Sequence, residues 1–350
     1  MRKTLLILLA GSMVALLGAA PVRAADKKLK VFTTSSAYAP IVEYIGGDTV
    51  EVDYIIKGYQ DPHIVRPKPS MALELAKADL LIATGLDLEA WLPALQDLAG
   101  NSRIMSGQPG YVSVAVGIDI AEKPTSLDRS EGDVHIFGNP HIHTGPLNGK
   151  AIAENITIGL KKVAPRHAAM YDANLKKFKQ ELHRRLFGEK LIAMLGAQTL
   201  FRLAAKGQLY SFLEKKRYKG KPLLDYLGGW MKAGLPLRGK KIVTYHKNWT
   251  YFANLFGIEV VGYMEPKPGI PPSPGHVNSL IEKMKRENVE VVFTANYFNI
   301  AKVKRVTEVT GAKPVVVGLS VGGQKGMDSY WEMFDIWIRT LVEAFEDSGT

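Results

Sequence analysis

The sequence predicts an α/β protein of two lobes, each a parallel sheet with flanking helices, joined by one long interdomain helix. Three observations carry this expectation. An apolar β-α-β-α-β rhythm opens the chain after residue 28, the same rhythm returns after residue 240, and a helical stretch without a breaker lies between them. Alternating strands and helices imply parallel strands covered on both faces.

In the first half, Leu29 to Thr33 reads as a buried strand, Ala37 to Ile45 as a helix and Val50 to Ile56 as a second strand. Pro69 to Ala78 is helical and Asp79 to Thr84 is an apolar strand. Pro165 suits a first helical turn, and RHAAMYDANLKKFKQELHRRLFG then runs unbroken to Gly188. That length is about 35 Å at 1.5 Å per residue, enough to span two lobes. Residues 188–238 have mixed periodicity and several glycines, and read as a mostly helical addition to the second lobe. Then KKIVTYH, IEVVGYM, VEVVFTAN and KPVVVGL read as strands with helices between them. The chain closes on an amphipathic helix with Trp331, Phe334, Ile338, Leu341 and Phe345 on one stripe. The expected organisation is 1–24 export signal, 25–160 first lobe, 161–188 linking helix and 189–350 second lobe.

The export signal rests on Arg2 and Lys3, a short apolar run from Leu5, and Val22-Arg23-Ala24 as a peptidase site. The run is too short for a membrane span, which needs about 20 residues. There is no cysteine, which removes disulfides, thiolate ligands, a cysteine nucleophile and a lipidated cysteine after the signal. The mature protein is therefore expected free in the periplasm, with any metal held by His, Asp, Glu or water. The formal charge of +11 is spread over scattered and helical positions such as Lys176, Lys177 and Lys179, with no aromatic-interleaved basic stretch. Nucleic acid is not an expected partner.

Function is sought in the eight histidines, three of which fall in GDVHIFGNPHIHTGP, residues 132–146. In open α/β sheets ligands collect beyond the carboxyl ends of strands. His63 follows the VEVDYII strand, His246 ends KIVTYH, and His141 precedes the helix-starting PLNGKAIAEN. Neutral imidazole suits zinc, and three histidines with a fourth position open or filled by oxygen is an established arrangement. A histidine in a loop is most often a solvated side chain or a cap. His167 and His183, among charges on the long helix, are assigned to that class, and His276 in SPGHV to the surface or a cap. The prolines flanking His63 in DPHIVRPKP, and Pro140 before His141, stiffen the approach of each imidazole. His143 is left as a supporting group, a surface residue or a reserve ligand, and His135 as reaching the site only from its loop.

These segments resemble, in order, the solute-binding proteins of zinc and manganese ABC importers, the cluster A-I group. DPHIVRPKPSMALELAKADLLIATGLDLEAWL is similar to the segment carrying the first ligand, here His63. GNPHIHTGPLNGKAIAENI is similar to the second, placing a ligand on His141, and YHKNWTYFANLFGIEVVG to the third, placing one on His246. EPKPGIPPSPGHVNSLIEKMK matches the stretch after the following strand. The resemblance implies two α/β lobes on a rigid helix, a divalent metal held between them, and a membrane permease as partner. It also exposes departures. Ser320 stands where many members have a fourth-ligand aspartate, Asn139 replaces the aspartate of the second motif, and His143 replaces an aromatic. The 188–238 segment is longer than usual, and residues 115–134 contain no histidine.

Manganese prefers carboxylate oxygens, so three imidazoles without a carboxylate favour Zn(2+) as the transported ion over Mn(2+). Water, His143 or His135 would complete the tetrahedron. The expected protein is a monomeric metal carrier, not an enzyme. Two rivals stand beside it. A metal-chelate binder would show a substrate chamber beyond the metal. A zinc hydrolase would need a free general base such as Asp61 or Glu265, and the chain has neither HExxH nor GxSxG.

Overall fold

The computed structural model describes residues 27–124, 135–267 and 269–346; the expected export signal lies outside them. The first lobe is built from β1 (Leu29–Ser35), α1 (Ala39–Gly46), β2 (Val50–Ile56), α2 (Pro69–Leu75), β3 (Leu80–Ala83), α3 (Leu92–Ala99) and β4 (Tyr111–Ser113). Each of its three helices carries a proline in the first turn, where no intrahelical N–H is lost. The strands are all parallel in the order β2-β1-β3-β4. The last five residues of β1 and all of β3 are buried, as expected for a sheet covered on both faces.

α4 (Gly149–Val163) packs back on this lobe, and a 3₁₀ turn at Pro165–His167 leads into α5 (Ala168–Phe187). Twenty residues make α5 about 30 Å long. Its start is tied to the first lobe, where Asn174 donates to the Ile45 carbonyl. Its end reaches the second, where Arg185 pairs with Asp335 at 2.8 Å.

Three short helices follow, α6 (Glu189–Leu195), α7 (Ala197–Ala205) and α8 (Leu209–Lys215), then a two-residue hairpin of β5 (Arg217–Tyr218) and β6 (Lys221–Pro222), and α9 (Gly229–Ala233). The second lobe continues as β7 (Lys241–Thr244), α10 (Thr250–Phe256), β8 (Glu259–Tyr263), α11 (Pro274–Arg286), β9 (Val291–Ala295), α12 (Ile300–Thr310) and β10 (Lys313–Val317). α13 (Tyr330–Glu346) closes the chain. α10 and α12 each stop at a left-handed glycine, Gly257 and Gly311, which frees the chain to turn into the next strand. The parallel order β10-β9-β7-β8 repeats the first lobe's order, taking β7 for β1.

One apolar core runs through both lobes, from Val31, Ile41 and Leu160 through Phe178 and Leu182 on α5 to Phe293 and Trp337. The expected stripe on α13 is inside, with Phe334 and Leu341 wholly buried. Trp249 lies 4.0 Å from Phe293 and 4.8 Å from Trp337 between ring centroids. Truncating such a ring to alanine costs about 3–5 kcal/mol. The lobes are thus welded along α5 and α13, and their strand ends face each other across a narrow seam. No described helix is long and apolar enough to cross a membrane.

Candidate metal centre

His63 sits in the loop after β2, with Trp91 Nε1 donating to the Pro62 carbonyl at 3.0 Å to hold that loop. Asp61 Oδ1 accepts from both the His63 backbone N–H, at 3.0 Å, and its Nδ1, at 2.8 Å. Burial raises the Asp61 carboxyl, but the His63 hydrogen bonds and charge outweigh it, so it lies below the usual carboxylate range. An ionised carboxylate only accepts, which puts a proton on His63 Nδ1; in the neutral ring the Nε2 lone pair is then free.

His141 repeats this arrangement with a neutral partner. Asn139 Oδ1 accepts from the His141 backbone N–H and from Nδ1, both at 2.9 Å. Asn139 Nδ2 donates to Glu122 Oε2 at 2.7 Å and to the Lys247 carbonyl at 2.8 Å. Those two acceptors fix which way the amide points, and so fix His141 in the Nδ1–H form. Sequence reasoning missed Glu122 and Tyr251, whose hydroxyl donates to the Asn139 carbonyl at 2.6 Å. Glu122 lies on left-handed backbone, φ 51°, seventeen residues before its partner, and no local pattern announces it.

His246 extends from the carboxyl end of β7, and its Nδ1 lies 2.8 Å from Glu265 Oε2, just beyond β8. Three histidines from three segments therefore carry their protons outward and turn Nε2 inward. Their ring centroids are 5.1 Å apart in every pairing, and one ligand atom from each lies within 4.8 Å of the others. The Nε2 atoms of His141 and His246 are buried without any hydrogen-bond partner. Buried polar atoms are rarely left so unless something else occupies them. Burial pushes the His141 imidazole far below its ordinary range, with His63 and His246 adding to the effect. Burial also lowers His246, against the opposing pull of Glu265. Neutral imidazoles with converging lone pairs are the donor set of a transition-metal ion.

The family profile described as zinc-uptake complex component A periplasmic (ZnuA) matches residues 31–185 and 218–344. The chain belongs to this family. As a member it is the metal-binding, solute-binding component of an ABC transporter, not an enzyme. The chain is similar to the manganese ABC transporter substrate-binding lipoprotein PsaA of Streptococcus pneumoniae, at 24% identity over 91% of this chain and 89% of that one. It is also similar to the iron-binding protein YfeA of Yersinia pestis, at 26% over 91% and 87%. Among solved structures, a crystal structure of ZnuA superimposes with a TM-score of 0.66 at 21% identity, over 91% of this chain and 99% of that one. The family match leaves out residues 186–217, which hold α6, α7 and α8.

The remaining sequence candidates separate cleanly. His135 lies beside the three, with its Nε2 3.2 Å from that of His63 and its ring 6.0 Å from that of His141. Burial, helped by His63 and His246, lowers it to about 3. His143 is buried next to His141, 6.5 Å between ring centroids, with Tyr38 edge-on to it and its Nδ1 without a hydrogen-bond partner. Ser320 lies within 3.0 Å of the Ser36 hydroxyl and 3.3 Å of the Ser35 hydroxyl, and so is used in a contact between lobes. His276 gives its backbone N–H to the Ser273 cap, and its Nε2 lies 2.9 Å from the Tyr263 carbonyl. His183 departs from its assignment to a solvated face: it is buried, its Nε2 has no partner, and Phe201 of α7 covers it at 5.8 Å. His167 accepts at Nε2 from Arg166 on the surface.

The two carboxylates a hydrolase would have used as a base, Asp61 and Glu265, are both engaged in orienting histidines. A cavity of about 670 Å³ between α4, α7 and α10 is lined by Lys150, Phe201 and Tyr251 but by none of the histidines. It does not form the chamber that a chelate would need at the metal.

Proposed function

We propose that this protein captures a zinc ion between its lobes on His63, His141 and His246 and passes it to the membrane permease of an ABC importer. The observation that carries the reading is the pair of buried, unpartnered Nε2 atoms on His141 and His246, aimed at the His63 ring. The one cluster of metal-ligating side chains among the described residues is made of three imidazoles and no carboxylate. That donor set favours zinc over manganese, although the named relatives bind manganese or iron. The chain acts as a monomer in the periplasm. PsaA is called a lipoprotein, whereas none of these 350 residues is a cysteine that could carry such a lipid.

The test is metal titration of the metal-free protein with zinc and manganese, alongside His141→Ala. One zinc per chain, bound far more tightly than manganese and lost in His141→Ala, is expected. Equal affinity for the two ions would overturn the zinc assignment, and no binding of either would overturn the carrier reading.

A further inference from the structure

Three imidazoles leave a tetrahedral ion one donor short, and the structure offers a fourth from elsewhere in the chain. We infer that His135 is the fourth metal ligand and the one that leaves first when the ion is handed over. The inference rests on the carrier reading above and adds a ligand and an order of release to it.

The first argument is a distance. Four nitrogens at about 2.0–2.1 Å from a tetrahedral zinc lie about 3.3 Å from one another. His63 Nε2 and His135 Nε2 are 3.2 Å apart, with ring centroids at 5.2 Å. That is the edge of such a tetrahedron. The second argument is a tautomer. Asp61 holds the His63 proton on Nδ1, so the lone pair of His63 Nε2 faces His135. Two lone pairs at this distance repel, so something positive must lie between them. Without metal it is a proton on one of the two nitrogens, which makes the contact a hydrogen bond. With metal it is the ion, and His135 carries its proton on Nδ1.

The third argument separates His135 from the other three. His63, His141 and His246 each have Nδ1 anchored by an oxygen of Asp61, Asn139 or Glu265. No described residue holds Nδ1 of His135. Its ring can therefore change tautomer and turn away at little cost, whereas the others are pinned by their partners. His135 and His63 are half-buried, while His141 and His246 are buried. Of the two ligands that reach the solvent, His135 is the untethered one, which is the arrangement needed for release through it. His143 has no such contact with His63; it packs against His141 at 6.5 Å between ring centroids, with its Nδ1 buried and unpartnered.

The experiment compares wild type, His135→Ala and His143→Gln as full mature chains. Zinc K-edge absorption counts the imidazoles on the bound ion, and transfer to a chromophoric chelator gives the dissociation rate. Wild type should show four imidazoles, and His135→Ala three with one oxygen. Affinity in His135→Ala should fall at least about 10–100-fold, the range for losing even an outer partner of a ligand. The zinc dissociation rate should rise by most of that factor, and the preference over manganese should narrow. His143→Gln should keep four imidazoles. Three imidazoles in wild type, or an unchanged count in His135→Ala, would overturn the assignment while leaving the three-histidine carrier intact. Absence of zinc from wild type would overturn both.

Discussion

Asp61 and Asn139 perform the same operation on the residue two places later: each side-chain oxygen accepts from the backbone N–H and from Nδ1 of a histidine, at 2.8–3.0 Å in all four contacts. Asx-Pro-His is therefore a single local device used twice. The proline fixes the turn, the Asx oxygen closes it, and the imidazole is left with one possible tautomer and one direction.

The device predicts a graded series. Asn139→Ala and Asp61→Ala should each lower zinc affinity about 10–100-fold at unchanged stoichiometry, because the ligand survives but loses its orientation. Asp61→Asn keeps the accepting oxygen and should stay near wild type. Asn139→Asp should be the worse isostere, because it sets a carboxylate against Glu122 Oε2, which now receives the amide hydrogen at 2.7 Å. Calorimetric titration with zinc checks the order, and an Asn139→Asp variant as tight as wild type would contradict it.

A second prediction concerns the seam between lobes. A Cβ on Gly58 would land on the Val321 carbonyl oxygen and the Gly323 nitrogen, backbone atoms of the other lobe. Gly58→Ala should therefore cost about 1–3 kcal/mol as an overpacked contact, seen as a lower Tm. Ser320→Ala, which loses only hydroxyl contacts to Ser35 and Ser36, should cost about 1 kcal/mol. If Ser320 is a lobe contact and not a ligand, zinc affinity in Ser320→Ala should stay within a few-fold of wild type.

A third follows from His183. Burial, aided by Lys179 and Lys150, lowers its pKa below the ordinary 6.5. The unfolded chain then takes up the proton first. The stability that His183 contributes is complete above about pH 6.5 and is lost as pH falls toward the folded pKa. His183→Gln should remove that loss. Thermal melts of the metal-free proteins from pH 7.5 to 5.5 should show a smaller drop in Tm for the variant. A parallel decline would mean that His183 does not take part.

The two sheets were legible because strand-like stretches, with LLIA of β3 and VVFTA of β9 the most apolar, alternate with helical ones; the strand order was not. β4 and the β5–β6 hairpin were not, since two or three residues show no periodicity. His63, His141 and His246 stood out by position at strand or motif ends. The anchoring of His141 was half legible: the Asn-Pro-His stretch parallels Asp-Pro-His, but Glu122 enters from a turn that only folding brings near. His183 was misread for a physical reason. Its helix has one inward stripe through Tyr171, Phe178, Leu182 and Leu186, and His183 lies beside it. It is covered by Phe201, from a helix that lies outside the residues matched to the family.

The shared core running from Val31 to Trp337 has a consequence for how the carrier is read by its partner. A body with one core cannot signal its cargo by swinging open and shut over a large angle. What would change on loading is then charge and not outline, with a divalent ion set among three imidazoles that are backed by Asp61, Asn139 and Glu265.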